Sequence, residues 1–206
     1  MLIEHAGKRP KIDPSARIAP TAVLCGEVTV GPGTSVGFGA VLSAESGPIA
    51  VGARCIVMDN AVIRGTRRYP TWLGDRVLIG PQASLSGCTI EDDVFLATGT
   101  RVFNGARVES HAEVRVNGVV HLLSRVPAGA VVPIGWVAVG DPAAILPPER
   151  HEEIWAIQEP LDFPKAVFGV ERAPPGQTEM PEIARRYTAL LARHKDDRIL
   201  DEGPLA

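Results

Sequence analysis

Aliphatic side chains return at every sixth position along the first two-thirds of the chain. The series begins at Ile12 and ends at Ala138, with longer steps after Leu42 and Ile63 and a shorter step after Leu85. Neither the 3.6-residue period of a helix nor the alternation of a strand produces such a series. The aliphatic positions are Ile12, Ile18, Leu24, Val30, Val36, Leu42, Val51, Val57, Ile63, Leu73, Ile79, Leu85, Ile90, Leu96, Val102, Val108, Val114, Val120, Val126, Val132 and Ala138. A six-residue period fits a triangular coil in which each hexad supplies one strand and one corner, and the series is long enough for about seven coils.

Small residues accompany the aliphatic ones. A small or β-branched residue follows four positions after most of them, as at Ala16, Ala40 and Ala83. Such residues pack near the bends, and glycine, aspartate, asparagine and proline serve the corners. Hexapeptide repeats are typical of the parallel β-helix, and this pattern resembles its left-handed form. We therefore predict an all-β solenoid, a left-handed parallel β-helix of about seven coils with C-terminal α-helices.

The end of the chain lacks the repeat. Residues 147 to 158 begin with prolines and acidic residues, which predicts a short helix. Residues 181 to 197 predict a second helix, because four apolar or aromatic residues share one face: Ile183, Tyr187, Leu190 and Leu191. We expect the residues between the helices to be extended, one helix to lie along the β-helix, and the other to cover its open end or reach a neighbouring subunit. The predicted domains are a β-helix over residues 1 to 145 and a helical extension over residues 146 to 206.

Two insertions interrupt the repeat, at residues 45 to 48 and at residues 64 to 72. Extra residues in a solenoid bulge outward from a corner, and such loops often line the binding face. One surface loop alone is equally well a tolerated insertion. Two insertions in consecutive parts of the repeat favour a binding site.

Charge and cysteine content exclude several classes of protein. The 21 basic and 24 acidic residues give a net charge of −3, which argues against nucleic-acid binding. The sequence contains neither a signal-peptide pattern nor an apolar run long enough to span a membrane. Three widely spaced cysteines, Cys25, Cys55 and Cys88, fit free thiols in a reducing compartment. We expect a cytoplasmic protein with no nucleic-acid or membrane partner.

Two segments are more specific than the repeat itself. GPIAVGARCIVMDNAVIRG, residues 47 to 65, and LIGPQASLSGCTIEDD, residues 78 to 93, closely resemble γ-class carbonic anhydrases. Many acyltransferases share the hexads, but the order GPI, DNAVI, loop and SGCTI is closer to this family. The likeness covers residues 10 to about 145. It implies a homotrimer of left-handed β-helices, each with a C-terminal helix.

The resemblance breaks down at the family's zinc ligands. That family binds zinc between subunits through three histidines, whose positions here hold Arg64, Pro81 and Ser86. Zinc takes imidazole, thiolate or carboxylate ligands, and Arg64 would add a fixed positive charge. We also expect the five histidines to lie on the surface and to form no substitute site: His5, His111, His121, His151 and His194. The sequence therefore predicts no metal and no cofactor.

The resemblance implies which polar residues would share an intersubunit cleft. The candidate catalytic residues are Glu45, Asp59, Arg64 and Ser86. The candidate substrate-binding residues are Ser43, Asn60, Tyr69, Gln82 and Asn104. Carboxylates suit acid–base catalysis, and arginine suits binding of a substrate carboxylate. Alternatively, Arg64 replaces the metal charge and forms a structural salt bridge with Asp59. Cys88 is expected to be a packing thiol.

The sequence leaves three functions open. The first is a trimer whose zinc site and carbonic anhydrase activity are lost, and whose cleft binds a small, anionic molecule, with metal-independent lyase, hydratase or cyclase chemistry if it is an enzyme. The second is a non-catalytic trimeric scaffold or assembly subunit. The third is a hexapeptide acyltransferase or CoA-thioester hydrolase, ranked lower because neither insertion carries the histidine that such acyltransferases use.

Overall fold

The hexads fold into short parallel strands stacked in three faces. The structure is a computed structural model that describes residues 1–200. Its strands are β1 (Leu2–Glu4), β2 (Lys11–Ile12), β3 (Arg17–Ile18), β4 (Val23–Val30), β5 (Ser35–Val36), β6 (Val41–Val51), β7 (Ile56–Val57), β8 (Val62–Arg64), β9 (Thr71–Leu73), β10 (Leu78–Ile79), β11 (Ser84–Ser86), β12 (Thr89–Ile90), β13 (Phe95–Leu96), β14 (Arg101–Val102), β15 (Arg107–Val108), β16 (Glu113–Val114), β17 (Val119–Val120), β18 (Arg125–Val126), β19 (Val131–Val132), β20 (Val137–Val139), β21 (Ala144–Leu146) and β22 (Arg198–Leu200).

Each coil contributes one strand to each face. The second face is a seven-stranded sheet in the order β19-β16-β13-β10-β7-β5-β3. The third face runs from the first half of β4 and of β6 through β8, β11, β14 and β17 to β20, and the first face runs from β2 and the second halves of β4 and β6 through β9, β12 and β15 to β18. The predicted left-handed parallel β-helix of about seven coils is confirmed.

The aliphatic series forms one narrow core along the axis. Leu24, Leu42, Ile63 and Leu85 are stacked in register on the third face and have no exposed surface. Stacked identical positions exclude water along the whole axis, and burying a Leu or Ile side chain contributes about 1.5–3 kcal/mol. Cys88 is also fully buried in this core, which confirms it as a packing thiol.

Residues at the corners adopt left-handed backbone conformations. Asn60 and Gln82 both have a φ of 58°, and they occupy the corner between the second and third faces. Asp59, beside them, accepts a hydrogen bond at Oδ1 from the backbone N–H of Phe38 in the preceding coil, at 2.8 Å. Asparagine and aspartate tolerate such turns because their side chains bond nearby backbone groups.

The residues after the last coil run back along the solenoid. Helix α1 (His151–Gln158) buries Ile154 against Val139 and Leu146 at the C-terminal end. A helical turn over Pro164–Phe168 precedes helix α2 (Met180–Leu191) and one further turn, Ala192–Asp196. Strand β22 then pairs antiparallel with β1, which itself extends the third face beside β4. We call residues 147–200 the tail.

The tail differs from expectation in its course. Both predicted helices form, but the segment between them is not extended throughout, because Pro164–Phe168 is helical. The last described residues also return to the first coil and form strand β22 there, which the hydrophobic pattern did not indicate. The division between residues 145 and 146 stays a prediction. Within residues 1–200, neither helix has the length and apolar content needed to cross a bilayer.

Candidate functional site

The two insertions lie against each other at the corner between the third and first faces, which we call the site corner. Where β6 pairs with β4, four residues of β6, 45 to 48, lie opposite the single residue 27 of β4. The backbone N–H of Arg67 in the second insertion donates to Ser46 Oγ in the first, at 3.1 Å. A Cβ atom on Gly47 would lie 2.0 Å from the carbonyl oxygen of Thr66. Only glycine permits this contact, so the insertions form one built surface and not two independent loops.

The tail covers the site corner and encloses a cavity of about 510 Å³. Polar residues of the solenoid line one side, and α2 and the turn before it line the other. The lining residues include Glu45, Arg64, Ser86 and Asn104 from the coils, Arg67, Arg68 and Tyr69 from the second insertion, and Phe163, Lys165, Phe168, Ile183, Arg186 and Tyr187 from the tail. Both insertions therefore line one cavity, and its role as a binding face stays a prediction.

Aromatic rings connect the tail to the corner. Phe103 contacts Phe163 at a centroid distance of 6.0 Å, Phe163 contacts Phe168 at 6.1 Å, and Phe168 contacts Tyr187 at 6.1 Å. All three pairs have edge-to-face geometry, the arrangement that the ring quadrupoles favour. This row of rings packs α2 over Arg64 and Glu45.

Three polar side chains meet at the cavity wall. Glu45 Oε1 lies 3.1 Å from Arg64 Nη1, which also donates to the Tyr187 hydroxyl at 2.9 Å. The Tyr187 hydroxyl lies 3.4 Å from Glu45 Oε2. Glu45 is 8% exposed, an unusual burial for a carboxylate. The pKa of Tyr187 is raised. Burial is the largest cause, the charge of Glu45 is the next, and Arg64 opposes the shift.

The structure unites only part of the predicted cleft in one chain. Glu45, Arg64, Tyr69, Ser86 and Asn104 line the cavity. Ser43 lies in register with Arg64 on the neighbouring strand. Asp59, Asn60 and Gln82 lie one corner away, between the second and third faces, and do not line it. Within the chain Arg64 pairs with Glu45 and not with Asp59.

Tyr187, Lys165, Arg186 and Phe163 were not among the predicted site residues. The sequence marked Tyr187 only as part of the apolar face of a helix. That face does line the cavity, through Ile183, Tyr187 and Leu190. The hydrophobic pattern cannot say which coil a helix covers, so it could not place Tyr187 beside Glu45.

The residues at the positions where the resemblance places the family's zinc ligands do not fit the metal. Arg64, Pro81 and Ser86 supply no imidazole, thiolate or carboxylate. The guanidinium of Arg64 instead forms an ion pair with Glu45 and donates a hydrogen bond to the Tyr187 hydroxyl. A dication at this position would face a fixed positive charge, so we derive no chemistry through zinc here.

One expectation about the histidines is wrong. His5 is buried, with 3% of its surface exposed, because β22 brings the end of the tail over it. Its Nδ1 lies 2.6 Å from Asp197 Oδ1, and its ring stacks on that of His194 at 4.3 Å. Because His5 lies far from His194 and Asp197 in the sequence, the sequence pattern did not indicate these contacts.

Comparison with known proteins finds γ carbonic anhydrases among the curated sequences and acyltransferases among the solved structures. No protein-family model matches the chain. The mitochondrial γ carbonic anhydrase 1 of Arabidopsis thaliana is 34% identical over 158 residues, which is 74% of this chain and 55% of that protein. The chain thus spans about half the length of this curated relative.

Solved structures agree on the fold. A Bacillus cereus protein assigned to the acetyltransferases is 27% identical, with a TM-score of 0.51 over 76% of this chain and 90% of that one. A UDP-N-acetylglucosamine acyltransferase from Bacteroides fragilis is 15% identical, with a TM-score of 0.57 over 95% of this chain and 80% of that one. At 15% identity this second likeness concerns the fold alone.

Proposed function

Because the chain belongs to the γ-class carbonic anhydrase-like family of hexapeptide-repeat β-helices, we propose that it binds a small anionic molecule at the site corner and acts on it without zinc. The observation that carries this proposal is the contact of Glu45, Arg64 and Tyr187 in the wall of the cavity. The position that would hold a metal ligand in the family holds a cation here. The proposal excludes zinc-dependent CO2 hydration at this position.

The charges around the cavity favour an anion. Five lining residues are basic and one, Glu45, is acidic: Arg64, Arg67, Arg68, Lys165 and Arg186 are the basic ones. Lys165 and Arg186 also pair with Glu171 and Glu182, outside the lining. The guanidinium of Arg68 stacks over the ring of Tyr69, at 5.3 Å from its centroid. Arginine binds carboxylate and phosphate oxygens with two parallel hydrogen bonds, so these are the ligand groups we propose.

Glu45 and Tyr187 supply the proposed acid–base pair. Glu45 is the carboxylate that accepts a proton from bound substrate, and Arg64 Nη1 lies 3.1 Å from its Oε1. Tyr187 keeps its proton because its pKa is raised, so its hydroxyl can donate to an oxygen that gains negative charge. A positioned acid–base group of this kind contributes about 10²–10⁴-fold to a rate. A lyase, hydratase or cyclase reaction fits this pair, because each needs proton transfer and no redox cofactor.

We also propose that the protein is a homotrimer, as the family resemblance implies. The corner with Asp59, Asn60 and Gln82 would then face the cavity of a neighbouring subunit and complete it. Light scattering of the purified chain tests this proposal. A monomeric mass would remove these three residues from the site, while the cavity formed within one chain would remain.

Ligand binding tests the anion proposal. Calorimetry would use a panel of small carboxylates, phosphate esters and CoA thioesters against the wild type, Arg64→Gln, Arg67→Gln and the control Arg115→Gln. Arg115 is half-exposed and pairs with Glu113, and it does not line the cavity. A lost charged hydrogen bond costs about 1.5–3 kcal/mol, so binding should weaken roughly 10- to 100-fold in the first two variants. Equal binding by all four proteins would refute the proposal.

A scaffold role and a carbonic anhydrase give different outcomes. If no member of the panel binds and Glu45→Gln leaves the protein's cellular role intact, the protein is a scaffold and the acid–base proposal is wrong. CO2 hydration that survives Glu45→Gln and requires zinc would identify a carbonic anhydrase with other ligands. Thioester hydrolysis abolished by Tyr187→Phe would identify the CoA-thioester hydrolase.

A further inference from the structure

Four metal-ligating side chains meet at the N-terminal end of the site corner. His5 follows β1, and Cys25 lies on β4 opposite Ile3 of β1. His194 and Asp197 precede β22, at the end of the tail. The antiparallel pairing of β22 with β1 therefore joins two residues from the first coils to two from the end of the tail. None of these four residues lines the cavity of the function proposed above.

The donor atoms form a compact group. One donor atom from each residue lies within 4.8 Å of the other three. The carboxylate of Asp197 is central: His5 Nδ1 lies 2.6 Å from Oδ1, His194 Nδ1 lies 2.7 Å from Oδ2, and Cys25 Sγ lies 3.7 Å from Oδ2. Zinc bonds of about 2.0–2.3 Å at tetrahedral angles separate ligand atoms by about 3.3–3.8 Å. The contacts of both histidines with Asp197 are shorter than these separations and that of Cys25 lies within them, so the side chains must move apart to admit an ion.

Burial and access suit a bound ion. His5 and Cys25 are 3% and 4% exposed, and the side chains of Asp197 and His194 are 15% and 32% exposed. The coil ligands are thus preformed, and the tail ligands leave a path from solvent. Within residues 1–200, this cluster alone brings three or more His, Cys, Asp or Glu donor atoms close enough together to share an ion.

Hydrogen bonds account for the contacts of His5 and His194 with Asp197, but they do not account for the contact of the Cys25 thiol. Each histidine can donate its Nδ1 proton to Asp197. Cys25 gains little from facing the same carboxylate at 3.7 Å, because a thiol is a weak donor. A cation would turn this weak contact into a bond.

We propose that His5, Cys25, His194 and Asp197 bind one zinc ion that fastens the end of the tail to the first coil. Two imidazoles, one thiolate and one carboxylate are a ligand set that zinc accepts, and the thiolate disfavours magnesium and calcium. On binding, the thiol proton of Cys25 passes to solvent, and a histidine that coordinates through Nδ1 carries its single ring proton on Nε2. No oxidation state changes. The ion would stabilise α2, and with it Tyr187, above the cavity.

The test uses the untagged full chain and zinc or cobalt alone as probes. Elemental analysis after dialysis against zinc should give one zinc per chain. Cobalt should give the thiolate-to-metal charge-transfer band and the intense visible bands of a tetrahedral site. Cys25→Ser should abolish the charge-transfer band. His194→Ala, a change at a partly exposed residue that leaves the core intact, should weaken zinc binding by at least about 100-fold, the upper end of the cost of losing an outer-shell partner.

Matched variants separate this site from any other. His111→Ala and His151→Ala change exposed histidines outside the cluster and should bind zinc as the wild type does. Arg64→Gln should also keep its zinc, because it changes only the cavity. Failure of the wild type to bind zinc at micromolar concentration, or retention of zinc by both Cys25→Ser and His194→Ala, would overturn the proposal. Neither result bears on anion binding at the cavity, which the Arg67→Gln variant reports.

Discussion

Replacing Arg64 with methionine tests whether the Glu45–Arg64 contact stabilises the tail against the solenoid. Methionine keeps the unbranched apolar stem of the side chain and removes its charge and its hydrogen-bond donors. The pair is buried on one side only, with the Glu45 side chain 9% and the Arg64 side chain 44% exposed. The variant leaves Glu45 with Tyr187 as its remaining side-chain contact at this point.

The loss of stability expected for Arg64→Met lies between the values known for buried and for exposed ion pairs. Breaking a buried ion pair costs about 3–5 kcal/mol, and an exposed pair is worth about 0.2–1 kcal/mol. Because solvent screens the exposed half of Arg64, we expect a loss of about 1–2 kcal/mol in the free energy of unfolding. For a chain of this size each kcal/mol lowers Tm by about 2–4 °C, which gives a fall of roughly 2–8 °C.

A double-mutant cycle isolates the contact. Urea unfolding at pH 7 would compare the wild type, Arg64→Met, Glu45→Gln and the double variant. The double variant should be more stable than the sum of the single losses predicts, because it leaves no unpaired buried carboxylate. Arg115→Met, which disrupts an exposed pair with Glu113, should unfold as the wild type does. A coupling energy of zero, or an equal effect of Arg115→Met, would refute the stabilising role of the contact.

Three further predictions follow from other parts of the structure. In a Tyr69→Phe background, which leaves Tyr187 as the single tyrosine, ultraviolet titration should give a midpoint above 10, and Arg64→Met should raise it further because Arg64 lowers the pKa; an ordinary midpoint would contradict the buried contact with Glu45. Gly65→Ala should cost about 1–3 kcal/mol of stability in urea unfolding through overpacking, because its Cβ would lie 2.3 Å from a carbonyl oxygen of the first insertion; wild-type stability would show that the insertions do not stack. Saturating zinc should slow tryptic cleavage after Lys195 by about 10-fold or more, and equal protection of a Cys25→Ser protein would place the effect elsewhere.

The β-helix was predictable because its information is local and repeated. Each coil must bury Leu24, Leu42, Ile63 or an equivalent residue at the same place, so the period appears directly in the sequence. Both insertions were also visible, since an extra residue shifts the phase of the aliphatic series. Glu45, Arg64 and Ser86 were grouped through the family resemblance, and the structure places all three around one cavity within the chain.

The tail was less predictable because nothing in its own pattern states what it packs against. An amphipathic helix shows which of its faces is apolar, but not the coil that this face covers. Tyr187 therefore remained a packing residue in the sequence, although it lies 2.9 Å from Arg64. His5 and His194 were expected to be surface residues for the same reason.

The sequence by itself determined the solenoid, the approximate number of its coils and the presence of two insertions, because each is a property of residue type at a repeated position. Only the tertiary structure decided what the tail does. Its return to β1 makes contacts between residues far apart in the chain, between Arg64 and Tyr187 and between His5 and Asp197. Contacts at such separation depend on the path of the backbone through space and leave no periodic trace in the chain, so they emerge only when the fold brings the two ends together.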